Sequence, residues 1–376
     1  MNRSRSAERV RQEVVRLSHA GMDSRTFGIE AVKRLRKAIP TDVSFFATAD
    51  PATLLFTSAV RDDVLAQATP QFLEREFLRD DPVKFVQLAR RRSPVDSLGM
   101  ATKGELARSA RYRELLAPMN LGDELRAALM VGSKCWGFMC LHRERSNPNF
   151  TPAEADFLAR LVPHLAEGLR KALLLGGSRA TTPQPDGPGL VLLANDLSLV
   201  AITPTAEGWL AEVPKSSWPS SLELPDAVYA VAARLLTLER GGHTPPDLTP
   251  RLRLRTASDR WLVLHASRLR TTETEGQIAV IFEEARPSEI APLIVDAYGL
   301  TRRESEITRL VLRGLSTTEV SEELHITPNT VRDHFKAIFD KVGVRSRREL
   351  VGQVFAQHYG PRMATGHEPN SDGWFA

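Results

Sequence analysis

Residues 299–350 read GLTRRESEITRLVLRGLSTTEVSEELHITPNTVRDHFKAIFDKVGVRSRREL. Three hydroxyl and carboxylate pairs stand three residues apart in this stretch: Thr301/Glu304, Ser316/Glu319 and Ser346/Glu349. In a capping box the hydroxyl accepts from a free amide of the first helical turn, and the carboxylate reaches back to the cap amide. Each pair therefore marks a helix start. A fourth start is Thr327 followed by Pro328, where proline's missing N–H costs nothing and its fixed φ suits the first turn. Gly314 and Gly343 supply stops. In the third helix, at 100° per residue, Val331, Phe335, Ile338 and Val342 fall within roughly 60° of one another and must face a core. Asn329, Arg332, Asp333, Lys336 and Asp340 occupy the opposite arc.

Between the second and third helices only His325, Ile326 and the cap Thr327 remain, the tight joint of a helix-turn-helix. Guanidinium, amide and ammonium groups on the free side of such a helix suit the DNA major groove. Arginine bonds guanine O6 and N7 bidentately, asparagine pairs with adenine, and lysine serves a base or a phosphate. The stretch resembles the LuxR-type (NarL/FixJ-type) DNA-binding domain through LTRRE at Leu300, GLSTTEVS from Gly314, TPNTVRDHFK from Thr327 and KVGVRSR from Lys341. The likeness covers about a sixth of the chain. It implies an all-α four-helix fold and base contacts from Arg332, Asp333 and Lys336, which join the Asn329 read from the helix phase. It also implies phosphate contacts from Ser316, Thr317, Thr318, Thr327, Thr330 and Lys341, and dimer contacts through the fourth helix. Arg332 stands where lysine is commoner in that family, and Asp333 puts a negative charge on the reading face. The carboxylate could accept from a cytosine amine or restrain loose phosphate binding. His334 flanks the apolar arc and reads as a packed or phosphate-touching residue rather than a metal ligand.

The chain has 376 residues, long enough for two or three domains. A hydrophobic content of 42% and a charged content of 26% are ordinary for a globular protein, and a net charge of +4 permits nucleic-acid binding without indicating it. The positive charge is local: Arg332, Lys336, Lys341, Arg345, Arg347 and Arg348 crowd the C-terminal stretch. Cys135 and Cys140 lie five apart in one strand, which predicts opposite faces, no bridge and a reducing compartment. No apolar run reaches the roughly 18 residues that span a bilayer, and the first residues lack the apolar core of a secretory signal. The expectation is a cytoplasmic protein without a membrane partner.

Residues 1–19 carry Val10, Val14 and Leu17 at helical spacing, an amphipathic helix suited to pairing with a second copy. A helix from about Thr26 to Ile39 then leads into strands at Val43 and Thr53. Polar helical stretches fill 61–117, strands return at Glu124 and Cys135 around a Gly132-Ser133 turn, and a long helix runs from Ala153 to Leu175. This predicts an α+β domain over residues 20–175. The run GFMCLHR, followed by FTPAEADFLARLVPHL, resembles the last strand and final helix of a GAF domain, which implies a sensor for a small molecule or a partner. Asp81-Pro82-Val83 resembles a segment of the acyl-homoserine-lactone domains that precede some LuxR-type units. Phe72 and Ala68, however, replace the tyrosine and tryptophan whose hydrogen bonds such a lactone needs.

Residues 176–188 are a linker by composition. Residues 189–285 follow the order ββααβββ, similar to a PAS domain, which makes a second α+β module. A connector (286–295), the helix-turn-helix domain (296–360) and a disordered polar tail (361–376) complete the chain. The sequence has no GxxxxGK[ST], GxSxG or HExxH run, and the first domain lacks the early acidic pair of a phospho-accepting receiver. Cys140 and His142 share a strand face but are too few for a metal site. The reading is multidomain and non-enzymatic, with no cofactor: a sequence-specific DNA-binding transcriptional regulator, dimeric on double-stranded DNA. Small-molecule or partner input to the GAF-like or PAS-like module would control it, and RNA polymerase is a further expected partner. A protein-interaction scaffold with a DNA tether, and a regulator sensing an acyl-homoserine lactone, are the alternatives.

Overall fold

A computed structural model describes residues 2–66, 68–174, 185, 187–213, 224–241, 248–270 and 276–354. The predicted tail and nearly all of the 176–188 linker lie outside these residues. The chain divides into two compact units, the first running to Glu283 and the second made mainly of Glu284–Ala376.

The first unit opens with α1 (Asn2–Leu17) and α2 (Ser24–Leu35), the latter capped by Asp23, whose carboxylate accepts from the amides of Arg25 and Thr26. Strands β1 (Val43–Ala49) and β2 (Phe56–Arg61) come next, then the short helices α3 (Asp63–Ala66), α4 (Thr69–Leu78) and α5 (Phe85–Leu88). They lead to β3 (Val95–Ser97), which the sequence did not signal, α6 (Leu98–Ala101), β4 (Leu121–Val131), β5 (Lys134–Glu144) and the long α7 (Pro152–Leu174). The five strands form one sheet in the order β2-β1-β5-β4-β3. Helices α1, α2 and α7 pack together on one side of it, where Phe27 meets Phe46 edge-on. The other side carries an aromatic cluster of Phe45, Phe56, Phe72, Phe77, Phe85 and Phe138.

Two expectations change here. Val10, Val14 and Leu17 are buried against the chain's own helices rather than left for a second copy, because α2 and α7 cover the apolar face of α1. Cys135 and Cys140 fall into the same buried cluster instead of on opposite faces. The cause is a β-bulge: Leu129 pairs with Gly137 and Met130 with Cys135, which leaves Trp136 as an extra residue that resets the alternation. Both thiols are free. Burial pushes Cys135 up to about 12 and holds Cys140 well above the usual thiol value.

The same unit continues with β6 (Gly189–Leu193), β7 (Leu199–Ile202), α8 (Pro204–Glu212), α9 (Asp226–Glu239), β8 (Arg251–Arg255), β9 (Trp261–Arg268) and β10 (Ile278–Glu284). Their sheet runs β7-β6-β10-β9-β8, which repeats the order of the first sheet when strands are counted from the first of each. Helix α9 lies against α4. Two ion pairs stitch the sheets' neighbourhoods: Arg61 grips Asp226 at 2.9 and 3.0 Å, and buried Asp50 accepts from the Arg253 backbone and guanidinium at 2.7–2.9 Å.

In the second unit the segment expected as a connector is instead a helix, α10 (Pro287–Ala297), with Ile290, Leu293, Ile294 and Val295 buried and α11 packed against it. Its apolar spacing outweighs the Pro and acidic content that suggested a linker. Then come α11 (Arg302–Leu312), α12 (Thr317–Glu323), α13 (Pro328–Val342) and a helical segment over 347–354. Ile307, Leu310, Val311, Val320, Val331, Phe335, Ile338, Val342 and Leu350 form its core.

Candidate nucleic-acid interface

The caps of the second unit fix where α13 points. The Thr301 hydroxyl accepts from the Glu304 amide at 3.3 Å, and the Glu304 carboxylate accepts from the Thr301 amide at 2.7 Å. Ser316 and Glu319 make the same exchange at 3.3 and 2.6 Å. The third box differs from expectation: Ser346 accepts from the Glu349 amide, but the Glu349 carboxylate takes the amide of Arg345, one residue earlier. Thr327 caps α13 through the Thr330 amide, and Gly343 ends it in the left-handed conformation at φ 78°. The turn between α12 and α13 places His325 at φ 51°, a left-handed position without a glycine.

Two arginines fix the two ends of α12, and sequence reasoning missed both roles. Arg303 donates to the Leu324 carbonyl at 2.7 Å, and Arg347 donates to the Leu315 carbonyl. Arginines that tie neighbouring backbone together look, in sequence, like any solvated basic residue.

On α13 the predicted division is present. Val331, Phe335, Ile338 and Val342 are buried, whereas Asn329, Arg332, Asp333, Lys336 and Asp340 are not. The hydrogen bonds of these groups run along the helix: Arg332 to the Asn329 side-chain amide oxygen (Oδ1) at 2.6 Å, and Lys336 to Asp333 at 3.1 Å. Such i,i+3 pairs in water are worth a few tenths of a kcal/mol and yield readily to a better partner. Ser316, Thr317 and Thr318 lie at the start of α12 and Thr327 and Thr330 at the start of α13, all outside the core. Lys341 is the exception among the expected phosphate contacts, because its ammonium is bound to Glu304 at 2.6 Å. Burial alone would raise the Glu304 carboxyl, but Lys341 and the Thr301 amide and hydroxyl outweigh it and hold it below its usual value. Lys341 thus locks α13 to the start of α11. His334 is half-buried at the edge of the apolar arc.

The first sheet disposes of its charges differently. Glu124 and Arg126 on β4 and Arg111 before it are wholly buried. Arg111 donates to Glu124 at 2.7 Å, and Arg126 donates to Glu124 at 3.2 Å and Glu76 at 2.7 Å. These guanidinium groups hold Glu124 well below the usual carboxylate range against the opposing effect of burial. Cys140 and His142 sit across from Arg126 and Glu124 on β5. Glu124, Cys140 and His142 bring ligand-type atoms within 4.8 Å of one another, but both Glu124 oxygens are already bound by guanidinium groups that would repel a cation. Burial lowers His142 to about 4, so it is neutral at pH 7. Asp81, of the Asp-Pro-Val segment, accepts from the Ser109 hydroxyl at 2.6 Å and the Arg111 amide at 2.8 Å. Both Asp81 oxygens are thus engaged within the fold, and Phe72 and Ala68 are buried.

Comparison with known proteins agrees with both readings. Residues 299–354 match the model for bacterial regulatory proteins of the luxR family, and residues 29–169 match the GAF domain. The transcriptional regulatory protein LnrK of Bacillus subtilis is 28% identical over 131 residues, which are 35% of this chain and 48% of LnrK. DesR of the same organism, also a transcriptional regulatory protein, is 37% identical over 65 residues, 17% of this chain and 33% of DesR. The chain thus spans about half or less of these relatives. The crystal structure of Escherichia coli SdiA aligns over 92% of this chain and 96% of its own at 12% identity, with a TM-score of 0.32, too loose a likeness to carry an argument. The chain joins a GAF domain to a C-terminal helix-turn-helix domain of the luxR family of bacterial regulatory proteins.

Proposed function

We propose that the chain is a non-catalytic, sequence-specific transcriptional regulator that reads the major groove with α13 under the control of its first unit. The observation that carries this is the outward Asn329, Arg332, Asp333 and Lys336 arc, held against a buried apolar arc by capped helices and engaged in weak local pairs. Ser316, Thr317, Thr318, Thr327 and Thr330 would position the helix on phosphates. Lys341 would join them only by sharing an ammonium that already serves Glu304. Two copies would meet half-sites about one helical turn apart, which makes a dimer on DNA the working state. A bacterial cytoplasm and contact with RNA polymerase suit that role.

Domain limits of 20–175, 189–285 and 296–360 suit this reading, with α10 added at the front of the last. A PAS-like character for 189–285 is supported by the ββααβββ order and its sheet. The test is selection of bound sites from a random duplex library at stated salt. A palindromic motif supports the proposal. Salt-sensitive binding with no enriched motif leaves only phosphate contact and defeats it.

A further inference from the structure

A hollow of the first unit lies where α4 and α5 face α9, with a volume of about 540 Å³. That is within the range of small-molecule sites. Its apolar lining includes Phe56, Phe77, Phe85 and Leu248. Its charged lining has a positive excess, Arg79, Lys84, Arg90, Arg234 and Arg240 with Glu76 and Asp80, in which Arg79 is already paired with Glu74 at 3.4 Å. Glu76 is not free to offset the excess, since its two oxygens accept from the Phe85 amide and from Arg126.

Lys84 is the decisive residue. It is 9% exposed, and its ammonium, with three donors, makes one hydrogen bond among the described residues, to the Arg79 carbonyl at 2.8 Å. Burial disfavours its charge and lowers its pKa, against the pull of Glu76 and Asp80. A buried ammonium with donors to spare is costly unless an anion completes it. Arg240, at the rim, is exposed and has no side-chain partner among the described residues.

We propose that this hollow binds a small amphipathic anion, an apolar body carrying a carboxylate or phosphate headgroup. Lys84 takes the headgroup, Arg240 steers it in, and the phenylalanine rings take the body. The proposal deepens the sensing role given above to the first unit and rests on it. It is tested without DNA, so its failure is distinct from failure of the DNA-reading role.

The probes are decanoate, decyl phosphate and the uncharged decanol, titrated calorimetrically into the full chain below their micelle-forming concentrations. At least one anion should bind saturably at one per chain, with decanol at least about 10-fold weaker, and the tighter anion identifies the headgroup. Lys84→Met should weaken the anion at least about 10-fold while leaving decanol unchanged, and Arg240→Gln should weaken it a few-fold. Decanol as tight as the anions, no saturable anion binding, or anion binding indifferent to both substitutions would overturn the proposal. If Lys84→Met does not fold, Arg240→Gln decides by the same criterion.

Discussion

The β4–β5 face of the first sheet and the outer arc of α13 carry the same kinds of residue and use them in opposite ways. On the sheet, Glu76, Arg111, Glu124 and Arg126 are out of water and bound in a fixed chain of charge-assisted bonds. On α13, Arg332, Asp333 and Lys336 stand in water and bond to near neighbours. Charges of the first kind specify a fold, because removing one strands its partners. Charges of the second kind remain available to another molecule.

The largest effect that would break this contrast is expected at Glu124. Glu124→Leu leaves two buried guanidinium groups without their shared carboxylate, and breaking buried pairs of this kind costs about 3–5 kcal/mol. Denaturant unfolding of the first unit, monitored by tryptophan fluorescence, should show that loss. A loss near zero would mean the network is as dispensable as a surface pair.

The next effect sharpens the contrast through pH. His142 titrates at about 4 in the fold, against about 6.5 in an unfolded chain. A depressed histidine is neutral when folded, so its contribution is complete above about pH 6.5 and is lost as pH falls toward 4, at up to about 1.4 kcal/mol per unit. Asp123 acts oppositely: burial raises it to about 6 against the Gly99 and Phe150 amides, so its contribution is present at low pH and lost as pH rises through 6. The stability difference between the wild type and His142→Asn isolates the first effect. It should shrink as pH drops from about 6.5 to about 4.5, and a constant difference would contradict the assignment.

The α13 arc was legible in sequence, whereas the sheet network was not, and the reason is geometric. Helical phase separates Val331 from Arg332 within one turn, and capping boxes mark ends in adjacent residues, so both signals are local. Glu124, Leu125 and Arg126 read as an ordinary alternating strand with one wet face. Only tertiary structure shows that both faces of β4 are covered and that Glu76, far back in the chain, completes the set. The bulge at Trp136 was invisible for the same reason, since strand alternation carries no mark where a residue is added. Helix α10 and the fate of the α1 apolar face were misread because composition does not say what a face packs against.

Smaller effects belong to the second unit. Thr301→Ala removes one half of a capping box and should cost about 1 kcal/mol. Lys336→Ala should change stability by less than about 0.5 kcal/mol, because its pair with Asp333 is screened by water. Thermal unfolding of both variants checks the order, and a larger loss at Lys336 than at Thr301 would reverse it.

The most direct test of the account is the affinity of wild type and Arg332→Ala for a selected duplex and its single-base variants, across a salt series. Direct reading predicts a loss of about 1–3 kcal/mol on the selected site, relaxed discrimination at one position per half-site, and a nearly unchanged salt dependence. Uniform weakening on every sequence, with a salt slope lower by about one, would place Arg332 on a phosphate and contradict it.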